Sequence, residues 1–301
     1  MTTEPMAAAE PFTSAERAEA TAELVRLLDL EELDTDLFRG EMAAHNLRGR
    51  VFGGQVAAQA LIAAMRSASE GFSVHSMHSY FLLPGDPAKP IIYETQRIRD
   101  GRSFETRRVA ARQNGRDIYY LTANFQRHEE GFEHQDQMPD VPPPEKCVDF
   151  LAVMAGATDD DTRSLAREWA ALEVRAVGNS LLGLEPDPHR PAQQRVWLRV
   201  AGDLPDDPVL HTAAFTWASD LSLLGSSLAA HTLDHTEAQT ASLDHTIWYH
   251  RPMRADRWWL YDQESPSASG GRGLGIGRVF TADGVLAATA AQEGIIRPRR
   301  K

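Results

Sequence analysis

With 301 residues, the chain has room for one large domain or two of about 150 residues each. It carries 43 acidic against 31 basic side chains, net charge −12, which is not the basic footprint of a nucleic-acid binder. At 42% hydrophobic it is ordinarily globular, and no run approaches the ~18 uninterrupted apolar residues of a membrane span.

The opening stretch, Met1 to Arg17, lacks the basic start and apolar core of a secretory leader. The lone Cys147 rules out an internal disulfide framework, and together these predict a cytoplasmic protein. Thr13-Ser14-Ala15-Glu16 has the form of a capping box. It opens a helix to about Leu30 with Leu24, Val25, Leu27 and Leu28 inward. "FGGQVAAQALIAAM", Phe52 to Met65, is apolar nearly all round and predicts a helix buried in its domain. Strand-like runs follow at 75–83, 91–98, 103–113 and 117–126, separated by turn signals of which Asn114-Gly115 is the strongest.

Proline-dense "MPDVPPPEKC" (138–147) reads as a linker, and "DDDTRSLAREWAALEV" after it as a surface helix capped by its aspartates. "QRVWLRV" (194–200) is a strand. Asp207-Pro208 then starts a helix in which Leu210, Ala213, Ala214, Trp217, Leu221, Leu224 and Leu228 share a stripe. At about 100° per residue, Asp220 falls roughly 60° from the middle of that stripe. It is either an acid at the edge of the buried face or, if the helix restarts at Ser219, a first-turn acid serving the helix dipole. Four more strands follow at 242–250, 257–265, 271–281 and 285–296, with Asp283-Gly284 in the last hairpin.

The order buried helix, then four antiparallel strands, thus occurs twice. Laying Ser76 on Ser242 puts Gln126 on Gln292 without a gap. A helix wrapped by a curved antiparallel sheet, made twice, is the double hotdog architecture; two unrelated α+β domains are the alternative. Paired edge to edge, two such sheets hide an exposed edge strand.

Familiar catalytic signatures are missing: no Gly-x-Ser-x-Gly, no Gly-x-x-x-x-Gly-Lys, no His-Glu-x-x-His. "HEEGFEH" (128–134) is read as a loop without a metal, and Cys147 shows no sign of activation. In "GGRGLGIG" the glycines Gly271, Gly273, Gly275 and Gly277 alternate on one strand face, which suits close approach by backbone or ligand. What remains is polar groups in apolar contexts: Gln292 within "VLAATAAQEGII", Ser242 before "LDHTIWYH", and Asp220.

Several blocks, taken in order, resemble acyl-CoA thioesterase II: "VFGGQVAAQAL", "VHSMHSYFLLPGD", "FETRRVAARQNG", "SDLSLL", "LDHTIWYHRP", "LYDQESPSASGGRG" and "QEGIIR". The resemblance runs from about Glu31 to Arg297. It implies an α+β double hotdog with two long central helices, each wrapped by a curved antiparallel sheet. It also implies hydrolysis of acyl-CoA to fatty acid and CoA without a metal or cofactor. The family's Asp, Thr (or Ser) and Gln trio falls on Asp220, Ser242 and Gln292. The implied division is an N-terminal helix (1–30), a first half (31–137), a linker with a surface helix (138–172) and a second half carrying the trio (173–301). Arg99, Arg102, Arg107, Arg108 and Arg272 are candidates to hold the CoA phosphates, and Trp217, Leu221 and Leu224 to line an acyl tunnel. The first half offers Gln55, Ser76 and Gln126 without a matching acid, so one site per chain is expected, within a homo-oligomer by hotdog analogy. Two rivals stand beside this reading. One is a hotdog enoyl-CoA hydratase using Asp244 and His245, although adjacent strand residues point to opposite faces. The other is an acyl-CoA-binding module without catalysis, for which serine at the hydroxyl position is the sequence support.

Overall fold

In the computed structural model, residues 11–43, 49–178, 192–231 and 238–298 are described. The stretch read for a leader lies largely outside them.

Helix α1 (Ser14–Leu27) begins as its capping box dictates. Thr13 Oγ1 accepts from the Glu16 N–H at 3.2 Å, and the Glu16 carboxylate accepts from the Thr13 N–H at 2.7 Å. Strands β1 (Glu31–Asp34) and β2 (Leu37–Gly40) lead to α2 (Gly53–Arg66), in which every residue from Gly54 to Ala64 is buried. Then come β3 (Phe72–Phe81), β4 (Ile91–Asp100), β5 (Phe104–Gln113) and β6 (Arg116–Arg127). Asn114 and Gly115 turn the β5–β6 hairpin with φ of 52° and 74°, the left-handed pair a two-residue turn demands.

Beyond the proline-rich stretch lie β7 (Val148–Asp149), α3 (Phe150–Ala155), α4 (Asp160–Glu168), β8 (Leu172–Ala176) and β9 (Gln193–Val200). Asp159 caps α4 as expected, accepting from Thr162 N at 2.8 Å. The helix stops at Glu168, however, and "LEVRA" forms a strand with alternating burial against β9. Helix α5 (Pro208–Ser219) precedes β10 (Ala238–Ser242), β11 (Asp244–Tyr249), β12 (Trp259–Ser269), β13 (Arg272–Thr281) and β14 (Leu286–Pro298).

All strands pair antiparallel in one sheet, ordered β1-β2-β4-β5-β6-β3-β11-β14-β13-β12-β9-β8-β7, with β10 also beside β14. The β3–β11 pairing joins the two halves, setting Met77 opposite Ile247, both fully buried. It turns what would be two exposed edges into one interior ladder. Helices α2 and α5 pack on the inner face, where a Cβ on Gly54 would overlap the Trp217 carbonyl and the Phe52 ring meets Trp217 edge-on at 5.8 Å.

The proline-rich segment is a strap on the outer face of the second half. Trp197 Nε1 donates to Pro142 O at 2.9 Å, and Met138 and Val141 pack on Trp197, Leu260 and Phe280. Among the described residues no helix is long and apolar enough to cross a membrane.

The helix expected to run past Asp220 to Leu228 ends at Ser219, and a 3-10 turn covers Leu224–Leu228. The cause is the alternating glycine row. A Cβ on Gly275 would stand 2.6 Å from Leu223 O, and one on Gly273 2.5 Å from Ser227 Cβ. The chain after α5 is drawn down onto β13, closer than a straight helix permits.

Candidate active site

Asp220 is the C-cap of α5, not a stripe-edge or first-turn acid. A carboxylate there faces the negative end of the helix dipole, which is unfavourable by itself. Its compensation is tertiary. The Gln292 Nε2 amide donates to Asp220 Oδ1 and, at 3.0 Å, to Ser242 Oγ. A carboxylate only accepts, so this contact fixes which way the amide of Gln292 points. Its carbonyl Oε1 is then left buried without a hydrogen-bond partner among the described residues. An unmet buried acceptor costs about 1–3 kcal/mol, so this atom marks a place where a water or substrate donor fits.

Irregular pairing brings Ser242 and Gln292 to one face. Ser242 closes β10 opposite Gly294 rather than opening β11. Leu243 donates to Glu293 O at 2.9 Å, Asp244 Oδ1 accepts from Glu293 N at 2.7 Å, and Thr246 pairs with Ala291. Two residues thus stand against Glu293, a bulge that returns Ser242 to the inner face. Gly275 lies opposite Gln292 on β13.

The first half supplies the remaining wall. A Cβ on Gly53, the first residue of α2, would sit 2.7 Å from Asp220 Oδ2 and 3.0 Å from Phe81 Cε1, so a larger residue would push the acid or the ring aside. The Phe52 N-cap makes no side-chain capping bond, so the first-turn N–H groups and the positive dipole end of α2 lie beside the acid. Gly53 was not singled out in the sequence, although its glycine pair at a helix start was the available signal. Tyr261, from the second half, donates to Ser219 O at 3.4 Å, and burial raises its phenol well above the ordinary value.

The other expected residues disperse. Ser76 pairs with Asn124 and with half-exposed Trp248 on the outer face, and Gln126 shares that face, while Phe125 and Ala123 point into the core. Gln55 is buried and donates to Glu41 O at 3.1 Å. Arg107 is corrected to a core residue. It is wholly buried, donates to Ser67 O, Arg99 O and Thr106 O, and pairs with Glu105 at 2.9 Å and Asp100 at 2.7 Å. Its guanidinium is saturated by these partners. Arg108 lies over the Tyr120 ring at 5.3 Å, and Arg272 pairs with Glu293 at 2.9 Å, both directed away from the helices. Arg99 and Arg102 are exposed in and after β4, Arg102 beside an open hollow of about 910 Å³ that also includes Ser69, Phe72 and Arg127. Among the described residues Arg50 is a cation near the trio, its Nη2 donating to Thr240 O at 3.4 Å, two residues before Ser242. Of the expected tunnel residues, Trp217 is core, Leu221 is partly buried, and Leu224 abuts Gly294 beside Ser242.

A family model described as "Acyl-CoA thioesterase" matches residues 185–295, and one described as "Acyl-CoA thioesterase N-terminal domain" matches 43–126. The human protein named acyl-coenzyme A thioesterase 8 is 40% identical over 286 residues, covering 90% of this chain and 88% of its own length. Acyl-CoA thioesterase 2 of Haemophilus influenzae is 40% identical, over 91% of this chain and 96% of its own. The chain belongs to the acyl-CoA thioesterase family. The crystal structure of an acyl-CoA thioesterase II from Mycobacterium marinum matches this thioesterase at TM-score 0.80 and 42% identity, over 92% of this chain and 98% of its own. A structure from Alicyclobacillus acidocaldarius described as having a hot dog fold matches at TM-score 0.75 with 22% identity, covering 92% of this chain and 98% of its own, which shows the fold.

The hydratase pairing does not form in this thioesterase. Asp244 is spent on Glu293 N, while His245 is fully buried, 2.9 Å from Ser219 Oγ through Nε2. Burial pushes the His245 pKa down to about 4, so it is neutral at ordinary pH.

Proposed function

We propose that this chain hydrolyses acyl-CoA thioesters to free acid and CoA, with Asp220, Ser242 and Gln292 activating the attacking water. The observation that carries the reading is the Gln292 amide, donating to both Asp220 and Ser242 with its own carbonyl unmet. Ser242, accepting from Gln292, keeps its hydroxyl proton for the water or the substrate carbonyl.

Water held by Gln292 Oε1 beside Ser242 attacks the thioester carbon, and Asp220 takes its proton. The negative charge that develops on the carbonyl oxygen is met by the first-turn N–H groups of α2 at Gly53 and Gly54. Collapse of the tetrahedral species breaks the C–S bond, and the CoA sulfur leaves with the proton from Asp220. Atoms balance with one water consumed.

Arg50 is the proposed anchor for a CoA phosphate, supported by its position between the α2 entry and β10. The reading takes the fold as a double hotdog, each half offering one helix, α2 of 14 and α5 of 12 residues, to its part of the sheet. A second copy is proposed to cover the outer face at the junction, where Tyr80 is 50% and Trp248 38% exposed while the strap protects only the second half. The lone cysteine supports a cytoplasmic setting.

Thiol release from acyl-CoAs of increasing chain length, wild type against Asp220→Asn, tests the reading. Release that collapses in the variant supports it. Binding without release by wild type overturns it in favour of a binding module.

A further inference from the structure

Four tyrosines point into the molecule around the helices. Tyr93 donates to Gln59 Oε1 at 2.7 Å, Tyr249 lies 2.7 Å from Thr216 Oγ1, and Tyr261 donates to Ser219 O. The fourth, Tyr119, is 1% exposed, and its hydroxyl has no hydrogen-bond partner among the described residues. The nearby Ser79 gives its own proton to His245 O at 2.6 Å, and its lone pairs make no hydrogen bond of ordinary geometry with the phenol. A phenylalanine would fill the same hole and leave no polar atom unmet, so packing does not account for the hydroxyl.

Its surroundings lead to the site. On β6, Tyr119 pairs with Phe81 of β3, and their rings lie 5.0 Å apart. The Phe81 edge reaches to 3.0 Å from where a Gly53 Cβ would be, and that point is 2.7 Å from Asp220 Oδ2. Tyr119, Phe81, Gly53 and Asp220 therefore form one continuous wall, the first three from the first half. The phenol keeps its proton: burial raises its pKa, the nearby Ser79 offsets part of that, and the Tyr249 and Asp220 charges add to the rise. It is a donor whose hydroxyl meets no acceptor among the described residues, on the wall that leads to the acid.

We propose that Tyr119 is a positioning residue for the hydrolysis, its hydroxyl donating to the water that Asp220 deprotonates. The inference rests on the function proposed above. No covalent step involves Tyr119. With Ser242 giving its proton to the substrate carbonyl, the water accepts from Tyr119 alone, so one oxygen lone pair stays free for the thioester carbon.

The test is Tyr119→Phe, which keeps the ring. The expected result is kcat lower by about tenfold with KM within about twofold, because the interaction is made in the transition state. The acid limb of the pH profile for kcat/KM moves to higher pH, since losing a donor that reaches the carboxylate through water makes its charged form less favoured. The melting temperature stays level or rises. In Asp220→Asn/Tyr119→Phe, the tyrosine change adds little to the aspartate change, because both act on one water. A variant with wild-type kcat and an unmoved pH profile overturns the proposal, as do losses that multiply in the double variant. A drop in melting temperature matched by the activity loss makes Tyr119 a packing residue and overturns it too. If Asp220→Asn alone leaves thiol release intact, the functional reading fails first. If that variant collapses and Tyr119→Phe does not, only the role of Tyr119 falls.

Discussion

Gln126 and Gln292 coincide when the two halves are laid end to end in sequence, yet they occupy opposite faces of the sheet. In β3 a bulge sets Val74 opposite Phe125 and Ser76 opposite Asn124, leaving Met77 opposite Ala123 on the inner face. In the second half the bulge after Ser242 does the same, and continuing the Thr246–Ala291 register by one residue sets His245 opposite Gln292. Matched bulge to bulge, the first-half counterparts of Ser242 and Gln292 are Val74 and Ala123. The next strand completes the contrast: Gly275 lies opposite Gln292, whereas Arg107 lies opposite Ala123. Arg107 donates to the carbonyl of Ser67, the C-cap of α2, just as Asp220 is the C-cap of α5. The place that holds the polar trio in one half is packed with a saturated guanidinium in the other. On the proposed reading a repeated scaffold would carry one site, with the first half contributing a helix start and a wall.

That contrast is open to attack. Asp220→Asn is expected to lower kcat by about a thousandfold, within the range for losing a general base, with KM little changed in a thiol-release assay. Unchanged turnover in a folded variant would falsify the asymmetry at its centre. Next in size is a pH effect on stability from His245 in the second half. His245 has an ordinary pKa of 6.5 unfolded and about 4 folded, so its contribution is complete above pH 6.5 and is lost as pH falls towards 4. The loss amounts to about 3 kcal/mol. Urea titrations of His245→Asn across that window should show a flatter pH dependence than wild type.

Gly53→Ala tests what the first half lends. Its methyl would meet the Asp220 carboxylate at 2.7 Å, and kcat is expected to fall about thirtyfold, since the donors of α2 must shift away from the carbonyl. A variant with full turnover would remove α2 from the site. The smallest expected effect sharpens the comparison most: Ser76→Ala and Gln126→Ala, the counterparts by sequence, should leave kcat and KM within about twofold. A large loss from either would restore a working site to the first half.

Much of this protein is local in origin. The capping box at Thr13, the Asn114-Gly115 hairpin, the proline after Asp207 and the alternation of the strands each depend on a few adjacent residues. The corresponding elements form where those residues place them. The three polar residues also stand out in an apolar context, and their family pattern names them in order. Other features depended on partners far along the chain. Nothing within "SDLSLLGSSLAA" stops the helix at Ser219; the glycine row of β13, some 50 residues later, draws the segment off its axis. Within "SFETRRVAARQ" alternation sets Arg107 on the face of Val109 and Ala111, but only the packed fold shows its guanidinium saturated by Ser67, Arg99 and Glu105. A one-residue slip or bulge reverses every side chain beyond it, so equal spacing in two halves does not imply equal faces. Sequence determined which residues were available for the chemistry; pairing across the sheet decided which of them meet.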